Sequence, residues 1–239
     1  MRKIFITLIC FTLILGFSFA FNPDRGSLEK VKIIHYKDGK KIFEVKPENP
    51  GKPQNNSCYS FISKGAKWKT VEDYYINPVN DDALSANFVK NAVDAGITEW
   101  EAFGGNIFGN SFLDYNAEFN DAATDNMNTV SFGFDFSPNV IGVTNVWGYF
   151  GGKPSTREIV EWDMQLNDQY SWGNAEIDSA LMDLQNIATH ELGHSAGLAD
   201  LYNSSCYWET MFGYSSEGET YKRTLNSGDI TGIQELYGA

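Results

Sequence analysis

Apolar residues recur at helical spacing most clearly over Leu84, Phe88, Val89, Ala92, Val93, Ile97 and Trp100, which follow Asp81-Asp82 and precede Gly104-Gly105. This pattern predicts a helix over about 83–100 with an acidic start and a glycine stop, whose Trp and Phe stripe is core with no cofactor role. Two more helices are expected. One covers Asp183 to Ala196, and the other runs from Gly228 to Tyr237, entered through Asn226-Ser227-Gly228-Asp229 with a carboxylate at its start. Alternation marks strands at Val71 to Asn77, Thr129 to Phe134, Val140 to Thr144 and Ile159 to Leu166, expected in one sheet. Upstream, Val31 to Tyr36 and Lys41 to Val45 flank Asp38-Gly39 and read as a short hairpin. A lone hairpin is marginally stable, so this one is expected to lean on the main domain.

A chain of 239 residues suits one medium domain with short appendages. Residues 1–20 carry Arg2 and Lys3, an apolar run from Ile4 to Phe17, then Ser18-Phe19-Ala20, and read as a signal peptide cleaved after Ala20. The competing reading is an uncleaved anchor, since Ile4 to Phe21 nearly spans a bilayer. Residues 21–57 are basic and polar and end in Lys46-Pro47-Glu48-Asn49-Pro50-Gly51-Lys52-Pro53, as a short pro-segment or linker does; the main domain is then 58–239. Cleavage removes two positive charges and no negative one, leaving 16 basic against 31 acidic residues and a net charge of −15. Such a chain repels nucleic acid and anionic membranes, so neither is an expected partner and no stable membrane association is expected after cleavage. The acidity suits solubility in a secreted, extracellular, monomeric protein, with carboxylates also free to hold calcium. Cys10 leaves with the signal, and Cys58 and Cys206 are read as one disulfide. In the chain-entropy account, closing so long a loop stabilises the fold by on the order of 4 to 5 kcal/mol.

The predicted second helix carries the chemistry. His190 and His194 stand one turn apart, so two imidazole nitrogens reach one metal ion. Glu191, beside the first of them, can accept a proton from water on an open coordination position. A third ligand must come from elsewhere. Gly197 can turn the chain back in a left-handed conformation, which brings Asp200 beneath the metal; Cys206, Glu209 and His35 remain rivals, although Cys206 suits the disulfide and His35 is expected to be exposed.

The run His190-Glu191-Leu192-Gly193-His194-Ser195-Ala196-Gly197-Leu198-Ala199-Asp200 resembles the metzincin signature, with Asp in the last position as in snapalysin-like bacterial proteases rather than the commoner His. Glu209-Thr210-Met211-Phe212-Gly213-Tyr214 resembles the Met-turn, with Met211 as its methionine supporting the histidines by packing. Tyr214 is then a candidate substrate or oxyanion contact, although it stands three residues after the methionine where the comparable astacin tyrosine stands two. Trp68 to Asn77, Ala83 to Trp100, Ile159 to Asn167 and Ser227 to Gly238 are similar to the first strand, first helix, later strand and closing helix of a matrixin-type catalytic domain. The resemblance covers about 58–239. It implies an α+β metzincin (zincin-like) fold: a twisted mixed β-sheet, two long helices and a small C-terminal subdomain with the third helix. It also implies a secreted zinc endopeptidase with one catalytic Zn2+, acting on a protein or peptide substrate laid as an added strand on the sheet edge, with Glu191 as general base. The alternatives are an inactive zinc-binding interaction module and a zinc hydrolase of other bonds. Two matrixin features are missing. No cysteine-switch motif precedes the domain, and no histidine lies between 36 and 189 to build the family's structural zinc site, so any second metal is expected to be calcium. If residues 21–57 block the cleft, Asp38, Glu44 and His35 are the groups on offer.

Overall fold

The computed structural model describes residues 26–37, 57–134 and 136–238. The proposed signal peptide, the Asp38-Gly39 turn and the 41–45 strand lie outside these residues. Among the described residues, nine strands and three α-helices follow in the order β1 (Leu28–Lys37), β2 (Glu72–Ile76), α1 (Ala86–Gly104), β3 (Phe108–Leu113), β4 (Asn128–Gly133), β5 (Val140–Tyr149), β6 (Glu158–Asn167), β7 (Trp172–Gly173), β8 (Met182–Asp183), α2 (Leu184–Ser195), β9 (Tyr214–Ser215) and α3 (Ser227–Tyr237). Seven strands form one mixed sheet in the order β3-β2-β4-β6-β5-β1-β9, and β7 and β8 pair separately. β2, β3, β4 and β6 run parallel, whereas β5 is antiparallel to β6. This is the α+β arrangement expected.

The helices form where the apolar spacing put them, but the acidic start expected for the first is corrected: α1 begins at Ala86, past Asp81-Asp82, with no acidic residue in its first turn. Ser85 caps α1 by accepting from the Phe88 amide, and Asp183 caps α2 by accepting from the Asn186 amide at 2.9 Å. In α3, Asn226 and Asp229 form a reciprocal capping box. α1 lies against α2, where the buried Trp100 indole donates to the Thr189 carbonyl at 2.7 Å. Trp68 donates to the Ser195 carbonyl at 2.8 Å and so satisfies one of the free carbonyls at the end of α2. These contacts fix α2 between the sheet and the other helices.

β1 differs from the sequence expectation. It does not merely lean on the domain: it joins the main sheet, antiparallel to β5 from Leu28↔Tyr149 to Tyr36↔Val140 and parallel to β9 through Tyr36↔Tyr214 and Lys37↔Ser215. Its alternation puts Val31, Ile33 and His35 on one face, with burial rising along the strand until His35 is fully buried. The expectation that His35 is exposed is therefore corrected.

Cys58 and Cys206 are bonded across 148 residues, with Cα atoms 5.3 Å apart, which ties the start of the domain to the loop after α2. The double variant Cys58→Ala/Cys206→Ala is expected to lose about 4 to 5 kcal/mol of stability. An unchanged urea midpoint would contradict that.

A second stability prediction concerns Asp163 on β6. Burial pushes its carboxyl up to about 7, and outweighs the Asn120 amide, which donates to Oδ2 at 3.1 Å, and the Thr129 hydroxyl, which donates to Oδ1 at 2.5 Å, both of which favour the ionised form. The folded-state pKa is raised, so the stabilisation is complete below about pH 4 and is lost as pH rises through about 7. Asp163→Asn mimics the protonated acid. It should flatten that slope and raise the thermal midpoint above wild type at pH 8; a parallel pair of pH–stability curves would contradict this.

Candidate functional site

The candidate metal residues sit on α2 and in the loop that follows it. Helical spacing brings the Nε2 atoms of His190 and His194 to 3.2 Å from each other, and both rings are fully buried. α2 ends at Gly197, whose φ of +107° belongs to the left-handed half of backbone space and where a Cβ would meet the Ala66 carbonyl at 2.8 Å. The Gly197 amide donates to the His194 carbonyl and the Leu198 amide to the Gly193 carbonyl, a Schellman ending that reverses the chain. Asp200 is thereby carried back under the helix. Its Oδ1 lies 3.2 Å from His190 Nε2 and 3.4 Å from His194 Nε2.

The outer nitrogens fix which atoms face inward. His190 Nδ1 donates to the Thr210 carbonyl at 2.6 Å and His194 Nδ1 to the Leu198 carbonyl at 2.9 Å, so both Nε2 atoms present lone pairs to the centre. Thr210 is itself held: its amide and that of Met211 donate to Asp229 at 2.6 and 3.1 Å. Met211 is buried beneath α2 at Gly193, where a Cβ would meet its Sδ at 2.2 Å. A side chain at Gly193 would push the helix off this support.

Three electron-rich atoms facing one another within 3.4 Å need a positive charge among them. Asp200 Oδ1 is buried with no hydrogen-bond donor among the described residues. Burial lowers His190 to about 4, while Asp200 counters burial at His194 and moves that ring up; the two histidines hold the Asp200 carboxyl well below its usual range. The separations match the roughly 3.3 Å edge of a tetrahedron with bonds of about 2.0 Å, as zinc takes with nitrogen and oxygen donors. This donor set fits zinc. Tyr202 donates to the other oxygen, Oδ2, at 2.9 Å and orients the carboxylate.

Glu191 follows His190 on α2, and its carboxylate lies close enough to His190 and His35 to share an ion with them. Glu191 is fully buried, and burial raises its carboxyl. The Thr144 hydroxyl of β5 donates to Oε2 at 2.5 Å, and His35 Nδ1 of β1 lies 3.0 Å from Oε1. The His35 ring also packs against that of His190, with centroids 3.9 Å apart and the planes tilted by 37°. Among the described residues two groups of His, Cys, Asp and Glu come close enough to share a metal ion, His190–His194–Asp200 and His35–His190–Glu191, and neither is of the oxygen-rich kind calcium takes.

The family profile of the matrixins matches residues 67–238. The chain belongs to the matrixin family. Its mixed sheet with three helices is accordingly a matrixin-like metzincin catalytic domain, and membership implies a zinc metallopeptidase. No individual curated protein matches the chain. Of the rival third ligands for this matrixin, Cys206 is in the disulfide, and Glu209 accepts from the Gly228 and Asp229 amides at the start of α3. His35 does reach the centre, but on the side of Glu191. Tyr214 on β9 packs its ring against Tyr202 and Phe212 and pairs with Tyr36. Sequence reasoning did not single out Thr144 or Tyr202, which each orient a carboxylate of this site. Tyr202 had a signal in lying two residues past Asp200, whereas Thr144 gave none, because its strand pairs with the helix only in three dimensions.

Proposed function

We propose that the protein is a secreted zinc-dependent endopeptidase in which His190, His194 and Asp200 hold one zinc ion and Glu191 is the general base. The observation that supports this best is the convergence of two bare Nε2 atoms and an unpartnered buried carboxylate oxygen within 3.4 Å, one helical position from a buried glutamate. When bound, zinc supplies a Lewis acid that polarises the scissile carbonyl and lowers the pKa of water. The chain's own residues do the rest. Glu191 takes the proton from the attacking water and delivers it to the leaving amine, so no acyl-enzyme forms. Thr144 holds one Glu191 oxygen and so aims the other, and Met211 supports the histidine helix from below. With β1 displaced, β5 would offer its ladder groups to an extended peptide by strand addition. Export agrees with the Cys58–Cys206 disulfide and the leader-like first twenty residues.

The test is a peptide library digested with the zinc-loaded protein, with β1 in place and with β1 displaced, and the cuts mapped by mass spectrometry. Cleavage abolished by chelation and restored by zinc is expected. Chelator-resistant cleavage, or none from a zinc-loaded protein with β1 displaced, would overturn the reading and favour an inactive zinc-binding module.

A further inference from the structure

β1 occupies the space between the edge of β5 and the short strand β9, antiparallel to the first and parallel to the second. That is where strand addition would lay a peptide across α2. Its one fully buried side chain is His35. His35 stands opposite Gly142 in the ladder, where no side chain competes for the space. Its ring packs against that of His190, Nδ1 lies 3.0 Å from Glu191 Oε1, and Nε2 lies 3.1 Å from Ser215 Oγ on β9. Behind Ser215 the buried Lys222 donates to the same hydroxyl at 2.6 Å. His35 therefore fills a pocket walled by Gly142, His190, Glu191 and Ser215. Each Glu191 oxygen has a partner, His35 at Oε1 and Thr144 at Oε2, and His35 stands on the side a substrate would have to enter.

The rest of β1 is lightly held. Val31 and Ile33 are only partly buried and pack at the margin of the core. The ion pairs of Lys30 and Lys32 with Asp121 and of Lys37 with Glu217 have side chains 30 to 53 % exposed, so each adds little. Ladder bonds and one plug are the bonds of a ligand rather than of a core strand.

We propose that β1 is a built-in occupant of the substrate groove: residues 28–37 lie there as a bound peptide would, His35 fills the side-chain pocket next to the candidate zinc ligands and engages Glu191, and the chain is latent until the strand is displaced. A substrate is then an extended segment that runs antiparallel to β5, enters between β5 and β9, and puts a hydrogen-bonding side chain into the pocket His35 vacates. The contact stands on geometry; its meaning as latency rests on the peptidase reading above.

The test uses the full, zinc-loaded chain, His35→Ala and His35→Gln, with zinc content measured on each as a check on the site. The probe is a fluorescent peptide hydroxamate, followed by anisotropy and by hydrogen exchange over residues 28–37. His35→Ala is expected to bind it at least about tenfold more tightly than wild type, because apparent affinity scales with the open fraction, and peptide turnover should rise in parallel. His35→Gln, which keeps a hydrogen-bonding side chain in the pocket, should fall between the two. In wild type, binding should speed exchange in 28–37, since probe and strand compete for one groove. Equal affinities in all three proteins, including equally absent binding, or binding with exchange in 28–37 unchanged, would overturn the inference. Displacement seen by exchange with no peptide cut by any variant would leave β1 as the groove's occupant and sink the peptidase reading instead.

Discussion

Glu191→Gln is expected to lower kcat/KM for peptide hydrolysis by about 10²- to 10⁴-fold while zinc content stays at one ion per chain. The amide has the shape of the carboxylate, and the site around it is closed on all sides, with Thr144 at 2.5 Å from one oxygen. Little should therefore move except the capacity to take a proton. The loss should fall on kcat more than on KM, because Glu191 acts on the reacting proton and not on the strand that holds substrate. The comparison is made in both the native and the His35→Ala backgrounds, so that strand release does not mask it. Retained turnover would show that another group accepts the proton.

Asp200→Ala is expected to weaken zinc binding by more than the roughly 10- to 100-fold typical of residues that only support a ligand, and to abolish hydrolysis with it. Removing the carboxylate leaves two imidazoles and deletes the charge that holds His194 up and balances the cation. Asp200→His restores a neutral nitrogen donor at the same turn and should keep zinc bound. Tyr202→Phe removes only the hydroxyl that donates to Oδ2 at 2.9 Å, so its loss should stay within the 10- to 100-fold range. Chelator competition on the four proteins reads these differences directly. Zinc affinity unchanged in Asp200→Ala would mean that the wrong third residue has been named.

The helices and the motif they carry were legible in the sequence because their determinants are local. The α1 face, the Asp183 cap, the one-turn spacing of His190 and His194, and the Gly197 turn all lie within a few residues of what they control. The strands of the sheet were legible as strands but not as partners, since β1 meets β5 more than a hundred residues further on. His35 shows the cost of that. Read alone, a histidine in a lysine-rich stretch is an exposed residue; read with the alternation of Val31 and Ile33 it continues their inward face, and that was the signal available. Lys222 and Ser215 carried no such signal, because what buries them is the meeting of β9, β1 and α2. Asp229 was legible as a helix cap, but its grip on the Thr210 and Met211 amides, and through Thr210 on His190, appears only in the folded chain.

The most direct test of the zinc centre is anomalous diffraction at the zinc edge from crystals of the zinc-loaded protein. The expected result is one strong peak about 2.0–2.1 Å from His190 Nε2, His194 Nε2 and a carboxylate oxygen of Asp200, with Glu191 near it but not bound. A peak held instead by His35, His190 and Glu191, the other donor cluster in the fold, with His194 and Asp200 left aside, would contradict it.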